Sequence, residues 1–485
     1  MVVDRNPHAG ITLPVTSPRG GTTLFATAVL ADAVRGFDAD LAQTIESSRR
    51  WRHEYTDAFR AMTAVSASAP AAAVGIAEAG LQSAHNLMRF ISGAADAGFE
   101  SEVVRGTREA VRTLRVPFGN KILEGDALRA QLRAWRDRGI VEPSFVTAID
   151  AVIDNPQWLS LPGHQTVVVG AGSELGPYLP LIDWGAEVLA IDLPGADRWR
   201  RIVQQAKDGA GTVTYPTGPA GPGVDVSRNF SGVLNWIYAN TSKRKKLVFG
   251  MYAYADGRAH VEVTLAADVI GVDILENRPK ATLAYLATPT DCYAVKADVM
   301  AEARRRWAAR GRRAAGQELL RMATRSALMR PNYCDEVVDR DGNHWGLADT
   351  LISAQGPNYA LAKRLQRWRG VVARNSGQRI SFNVAPASWT QSVTKNAILA
   401  SAYHGAGRFG VEIFAPDTAR TLMAAKLVSD LFAPVPVEPN ANPEVLFYEG
   451  AAHGGLWRQP FEPISVLSLA AAQGYPRTVF DRLRH

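Results

Sequence analysis

Cysteine is nearly absent: Cys292 and Cys334 are the only two in 485 residues. Two widely separated thiols exclude a disulfide framework and a cysteine-rich metal site, and they predict a reducing, cytoplasmic setting. No apolar run reaches the roughly 18 residues that a membrane-crossing helix needs, so no transmembrane segment is expected. The opening residues MVVDRNPHAG lack the charged-then-apolar pattern of a secretory signal. Acidic charge is also short, since 47 Asp and Glu against 54 Lys and Arg leave a net charge of +7. The excess sits in clusters: Lys243, Arg244, Lys245 and Lys246; Arg304, Arg305 and Arg306; Arg310, Arg312 and Arg313. They carry no interleaved aromatic pattern on which bases would stack. They are therefore expected to be solvated faces, and no nucleic-acid partner is expected.

What is present is an ordinary folded-protein balance, 47% apolar and 21% charged. The length predicts two or three domains. Residues 1–22, rich in Pro, Gly and Thr, predict an extended arm. From 23 to 158 the apolar spacing is helical, with Leu41, Ile45, Trp51, Tyr55, Phe59 and Met62 on one stripe. An all-α N-terminal domain is predicted there. Pro162 and Gly163 mark a linker.

Residues 164–432 alternate strand and helix patterns, which predicts an α/β unit with a doubly wound parallel sheet. Expected strands cover 166–169, 187–191, 212–215, 281–287 and 379–384. A sixth, at 347–352, is expected just before a helix at 359–372. Residues 246–264 alternate around Ala255, Asp256, Gly257 and Arg258, predicting a hairpin inserted near 243–276. A strongly basic helix, or two, is expected over 296–329. Residues 433–485 form a C-terminal extension. Its segment 449–457, with Gly450, Gly454 and Gly455 around His453, fits either a lid over the site or a packed arm.

Two stretches carry chemistry. The first is Gly170-Ala171-Gly172-Ser173-Glu174-Leu175-Gly176, directly after a β-branched strand. Such a turn lets backbone approach a pyrophosphate, and the following helix N-terminus favours its charge. Asp192 ends the next strand, about twenty residues past Gly172, where an acidic side chain reaches the adenosine ribose hydroxyls. The second is Tyr359-Ala360-Leu361-Ala362-Lys363. Residues at i and i+4 share a helix face, and an ammonium near a phenol lowers its pKa. Such a phenol can exchange a proton with a substrate oxygen. Asn383-Val384-Ala385-Pro386 then ends a further strand.

With these three motifs in order, residues 165–432 resemble the short-chain dehydrogenase/reductase family. The resemblance implies a Rossmann-like fold that binds NAD, or NADP, and transfers hydride between an alcohol and a carbonyl. It implies Tyr359 as acid/base and Lys363 as its tuning and ribose-binding partner. It also implies cofactor contacts at Gly170, Gly172, Ser173, Glu174, Leu175, Gly176, Asp192, Thr288, Pro386 and Thr390. The family's serine position falls on Gly346. A shortened loop makes Ser353 the expected substrate-orienting hydroxyl, with Thr350 as substitute. Glu174 replaces one family glycine, Ala387 follows Pro386 where glycine is usual, and Ala287-Thr288-Pro289-Thr290 replaces an Asn-Asn-Ala-Gly run. The chain is thus a divergent relative. Asp192 favours NAD, with Arg198 and Arg200 near enough to blur the preference. A small-molecule substrate is expected and a homo-oligomer is left open. Two alternatives stand: a redox-silent scaffold that keeps the fold and the nucleotide, and an S-adenosylmethionine-dependent methyltransferase.

Overall fold

The computed structural model describes residues 8–14, 21–92, 98–434 and 441–484. At its centre is a mostly parallel eight-stranded sheet. In chain order its strands are β1 (Glu100–Arg105), β2 (His164–Val169), β3 (Glu187–Ile191), β4 (Thr212–Gly218), β5 (Gly221–Pro222), β6 (Lys246–Met251), β7 (Thr282–Ala287) and β8 (Arg379–Val384). Across the sheet the order is β8-β7-β6-β2-β3-β4-β1, with β5 pairing off β4. The pairs from β8 through β4 are all parallel, whereas β1 and β5 run antiparallel to β4. Among the parallel strands the direction of winding reverses at β2, which lies between β3 and β6.

The strand sequences are near-continuous apolar runs because both faces are covered. Successive side chains alternate between two cores. Val167 and Val169 join one with Leu189, Phe249 and Leu283, while Val168 joins the other with Val188, Val248 and Ala284. The first face is covered by helices Thr23–Arg35, Trp51–Ala67, Pro70–Leu87, Arg258–Asn277 and Pro357–Asn375. The second is covered by Gly125–Asp137, Pro143–Asp154, Ala196–Asp208 and Pro416–Phe432.

That distribution corrects the expected all-α unit at 23–158. Its helices are divided between the two faces of one sheet, and the segment itself supplies β1 and the strands Arg89–Ser92, Val116–Phe118 and Lys121–Leu123. An amphipathic helix needs an apolar partner, and here the sheet faces provide it. Helix Pro70–Leu87 presses on helix Pro357–Asn375 so closely that a Cβ on Gly80 would lie 2.3 Å from the Trp368 ring. His85 Nε2 lies 2.7 Å from Asp268 Oδ2, and Arg369 grips the same carboxylate at 2.6 and 2.8 Å.

The hairpin expected near 243–276 is not formed. The predicted turn is real, with Gly257 at φ +58°, but β6 is an interior parallel strand and the second run folds into helix Arg258–Asn277. The strand before Tyr359 is His344–Asp349. It pairs with Cys292–Lys296 and Glu336–Val338 in a separate antiparallel sheet. The basic stretch forms Ala297–Ala308 and Ala314–Ala323. Half of its arginines form ion pairs: Arg304 with Glu336, Arg305 and Arg306 with Glu302, Arg321 with Glu318.

Of the expected extended arm, residues 1–7 and 15–20 lie outside the described residues, while His8–Thr12 pairs antiparallel with Arg89–Ser92. In the C-terminal extension, 435–440 and 485 also lie outside them. Segment 449–457 is a packed arm. His453 is buried with Nε2 2.9 Å from Glu142 Oε1, and Ala452 N donates to Val384 O at 3.0 Å. Among the described residues no helix is long and apolar enough to cross a membrane.

Candidate functional site

The carboxyl ends of β2, β3, β6, β7 and β8 meet along one edge, and the expected residues lie there. Gly170 follows β2 with φ +90°, a conformation that an L side chain rarely adopts. A Cβ on it would lie 2.5 Å from Ala253 N, so the glycine lets the backbone after β6 cross over the turn. Asp192, at the end of β3, closes the turn: its Oδ2 accepts from Gly172 N at 2.7 Å and its Oδ1 from Leu193 N at 2.8 Å. Arg198 Nε stands 3.3 Å from the same carboxylate. Glu174 Oε2 accepts from Gln391 N at 2.9 Å, joining the glycine turn to the loop of Pro386 and Thr390 after β8.

Internal bonds take up most of the turn's amides. Those of Gly170 and Ala171 donate to Ile191 O, that of Ser173 to Gly170 O and that of Gly176 to Ser173 O. Among the described residues, the amides of Glu174 and Leu175 have no hydrogen-bond partner. The next helix, Tyr178–Asp183, is six residues long and begins after Pro177. The helix expected to open at this turn is therefore short and starts two residues past Gly176.

Tyr359 lies in the first turn of helix Pro357–Asn375 and is half-buried. The Thr288 side chain, just past the end of β7, is near enough to oppose the rise of the Tyr359 phenol. Thr288 Oγ1 is in turn 2.7 Å from Thr290 Oγ1, and Gln355 Nε2 donates to Thr290 Oγ1 at 2.8 Å. Ser353 lies exposed in the turn before the helix. Thr350, the substitute, is buried with its hydroxyl bonded to Asp291 O at 2.8 Å. Of these hydroxyls, the one that acts on the Tyr359 phenol is that of Thr288, while Ser353 stands exposed because the strand before the helix belongs to the small sheet.

Lys363 is one turn along, yet its Nζ is 5.9 Å from the Tyr359 ring centroid. It donates to Leu286 O at 3.0 Å and to Gln366 Oε1 at 3.2 Å. Burial lowers Lys363 to about 8, against the pull of Asp291. Burial also pushes the Tyr359 phenol upward, and Asp291 adds to that rise while Thr288 opposes it. The expected lowering of the phenol by the lysine is therefore not the arrangement found: desolvation outweighs it.

Sequence reasoning missed His260. It is 1% exposed, and neither ring nitrogen has a hydrogen-bond partner. Its ring centroid is 5.4 Å from that of Tyr359 and 5.3 Å from that of Tyr254. Burial lowers it to about 3, so it is neutral. The alternation of Ala259-His260-Val261-Glu262-Val263-Thr264 hid it within an apparent strand. Asn383 ends β8 with Oδ1 unpartnered and Nδ2 3.0 Å from Ser381 Oγ.

Asp192 and Arg198 thus stand beside the glycine turn, and Thr288, Tyr359 and the unpartnered His260 ring stand together further along the same edge. The sequence matches no family model and no curated protein.

Proposed function

We propose that the chain is a Rossmann-like oxidoreductase, dependent on NAD or NADP, that interconverts an alcohol and a carbonyl in the manner of a short-chain dehydrogenase/reductase. One observation carries the reading. Tyr359, with Thr288 acting on its phenol and the His260 and Tyr254 rings beside it, lies at the carboxyl edge of a parallel sheet whose winding reverses at the glycine turn. Ligands of open α/β sheets bind at that reversal. Gly170 lies under Ala253, and Tyr254 lies 6.0 Å from Tyr359 between ring centroids, so one short segment spans from the turn to the phenol.

When bound, the nicotinamide dinucleotide would supply or accept the hydride. The protein's part is orientation and proton handling. The Tyr359 phenol is protonated at neutral pH, so it would enter carbonyl reduction as the proton donor to the substrate oxygen and, once deprotonated, alcohol oxidation as the acceptor. Thr288 orients that oxygen. Lys363 fixes the end of β7 through Leu286 O, which places it as a positioning residue. Asp192 would hold ribose hydroxyls and disfavour a 2′-phosphate.

A redox-silent scaffold is the second reading, and the lysine turned toward Leu286 O together with the internally bonded loop amides favours it. Titrating NADH, NADPH and S-adenosylmethionine separately, then following cofactor absorbance with a panel of ketones, tests both. Saturable NADH binding with ketone-dependent oxidation supports the reductase. Binding without turnover supports the scaffold, and binding of S-adenosylmethionine alone overturns both.

A further inference from the structure

Next to the Thr290 and Thr350 hydroxyls the structure holds an apolar space. Helices Ala397–Ala406 and Pro463–Arg484 pack almost backbone to backbone: a Cβ on Gly405 would lie 2.0 Å from Ala470 O, and one on Gly474 1.9 Å from Ser401 O. Glycine at both points lets the pair act as one wall. Between this wall and the loops after β7 and β8 lies an open-sided pocket of about 80 Å³. Its lining is overwhelmingly apolar, including Leu399, Ala402, Phe409, Val411, Leu456 and Leu467.

The pocket's few polar groups have distinct connections. Thr290 lines it, and its hydroxyl contacts Thr288, which acts on the Tyr359 phenol. Gln459 also lines it, is 1% exposed, and has an Oε1 with no hydrogen-bond partner. An acceptor buried without a donor is costly, and in a ligand pocket a few such groups fix orientation. Ile464, at 43% exposure, leaves an apolar residue at the pocket's surface.

We propose that this pocket binds the hydrocarbon body of an apolar ketone or alcohol, with the reacting oxygen at Thr288 and Tyr359 and a second hydroxyl on the body donating to Gln459 Oε1. The reaction assigned to the oxygen rests on the oxidoreductase reading; the binding of an apolar body does not.

The test is equilibrium binding of straight-chain secondary alcohols and methyl ketones, from butyl to dodecyl length, read by intrinsic tryptophan fluorescence on the full chain. Affinity should rise roughly fourfold per added methylene until the pocket is full, the equivalent of about 0.8 kcal/mol each. Leu399→Trp, which fills the space, should flatten that rise while NADH binding stays unchanged. Leu399→Ala, which only trims the wall, serves if the larger side chain prevents folding, and should weaken long chains more than short ones. Gln459→Leu should remove the preference for a hydroxylated chain over a plain one. A rise with length but no turnover supports the pocket and overturns the oxidoreductase reading. Turnover of short alcohols with no dependence on length overturns the pocket and leaves that reading standing.

Discussion

Substituting Gly170 by alanine tests how the candidate site is built. Two costs act in the same direction. A left-handed backbone costs an L residue roughly 1–2 kcal/mol, and φ here is +90°. The new methyl would also lie 2.5 Å from Ala253 N, 2.6 Å from Ala253 Cα and 2.8 Å from Tyr252 C. These are main-chain atoms, and Tyr252 N is bonded to Val169 O at 2.8 Å, so relief requires loosening the join between β2 and β6. Overpacking of this kind costs about 1–3 kcal/mol. The sum is a loss of about 2–5 kcal/mol, accompanied by displacement of Tyr254 from Tyr359. Gly172→Ala is the control, because its Cβ would meet side-chain atoms rather than main chain: Asp192 Oδ2 at 3.2 Å, Arg198 Cγ at 3.8 Å and Ile202 Cδ1 at 3.9 Å. It should cost less than about 1 kcal/mol. Urea unfolding followed by tryptophan fluorescence measures both. Equal stability of the two variants would refute the argument that the crossing backbone, rather than a ligand, dictates glycine at 170.

Other substitutions follow from the same packing. Gly80→Ala gains about 1 kcal/mol of helix propensity but meets the Trp368 ring at 2.3 Å; overpacking of about 1–3 kcal/mol outweighs the gain, and urea unfolding should show a net loss. Asp268→Asn leaves Arg369 and His85 facing a neutral amide in a buried site, and should cost about 3–5 kcal/mol in the same assay. His260 is neutral in the folded chain, whereas its unfolded imidazole gains a proton as pH falls below its ordinary value of 6.5. The unfolded state then binds more protons, so stability falls with pH through the window down to about 3, by about 2 kcal/mol between pH 7 and 5. His260→Phe should flatten that slope in denaturation series taken at several pH values.

Much of the sheet was legible because buried parallel strands are short apolar runs cut off by glycine, aspartate or proline. Thr166 to Val169, Glu187 to Ile191 and Arg379 to Val384 all fell into place for that reason. Residues 246–264 misled because interior strands and buried helices both give apolar stretches, and only tertiary position separates them. The helical N-terminal segment looked like a separate domain because periodicity shows that a stripe is buried, not what buries it. Within the site, spacing placed Asp192 at the end of the strand after the glycine turn, but not its bond to Gly172 N. Nor did spacing show the neighbours of Tyr359. Thr288 and His260 reach it from other elements, one at the end of β7 and the other on helix Arg258–Asn277, and no local pattern records such a meeting.

The most direct test of the central claim is the turnover number for ketone-dependent NADH oxidation in Tyr359→Phe. Removing a positioned proton donor costs about 10²- to 10⁴-fold, so kcat should fall by that range with NADH affinity unchanged. Full activity in Tyr359→Phe would contradict the assignment of Tyr359 as the proton donor and, with it, the reductase reading of this site.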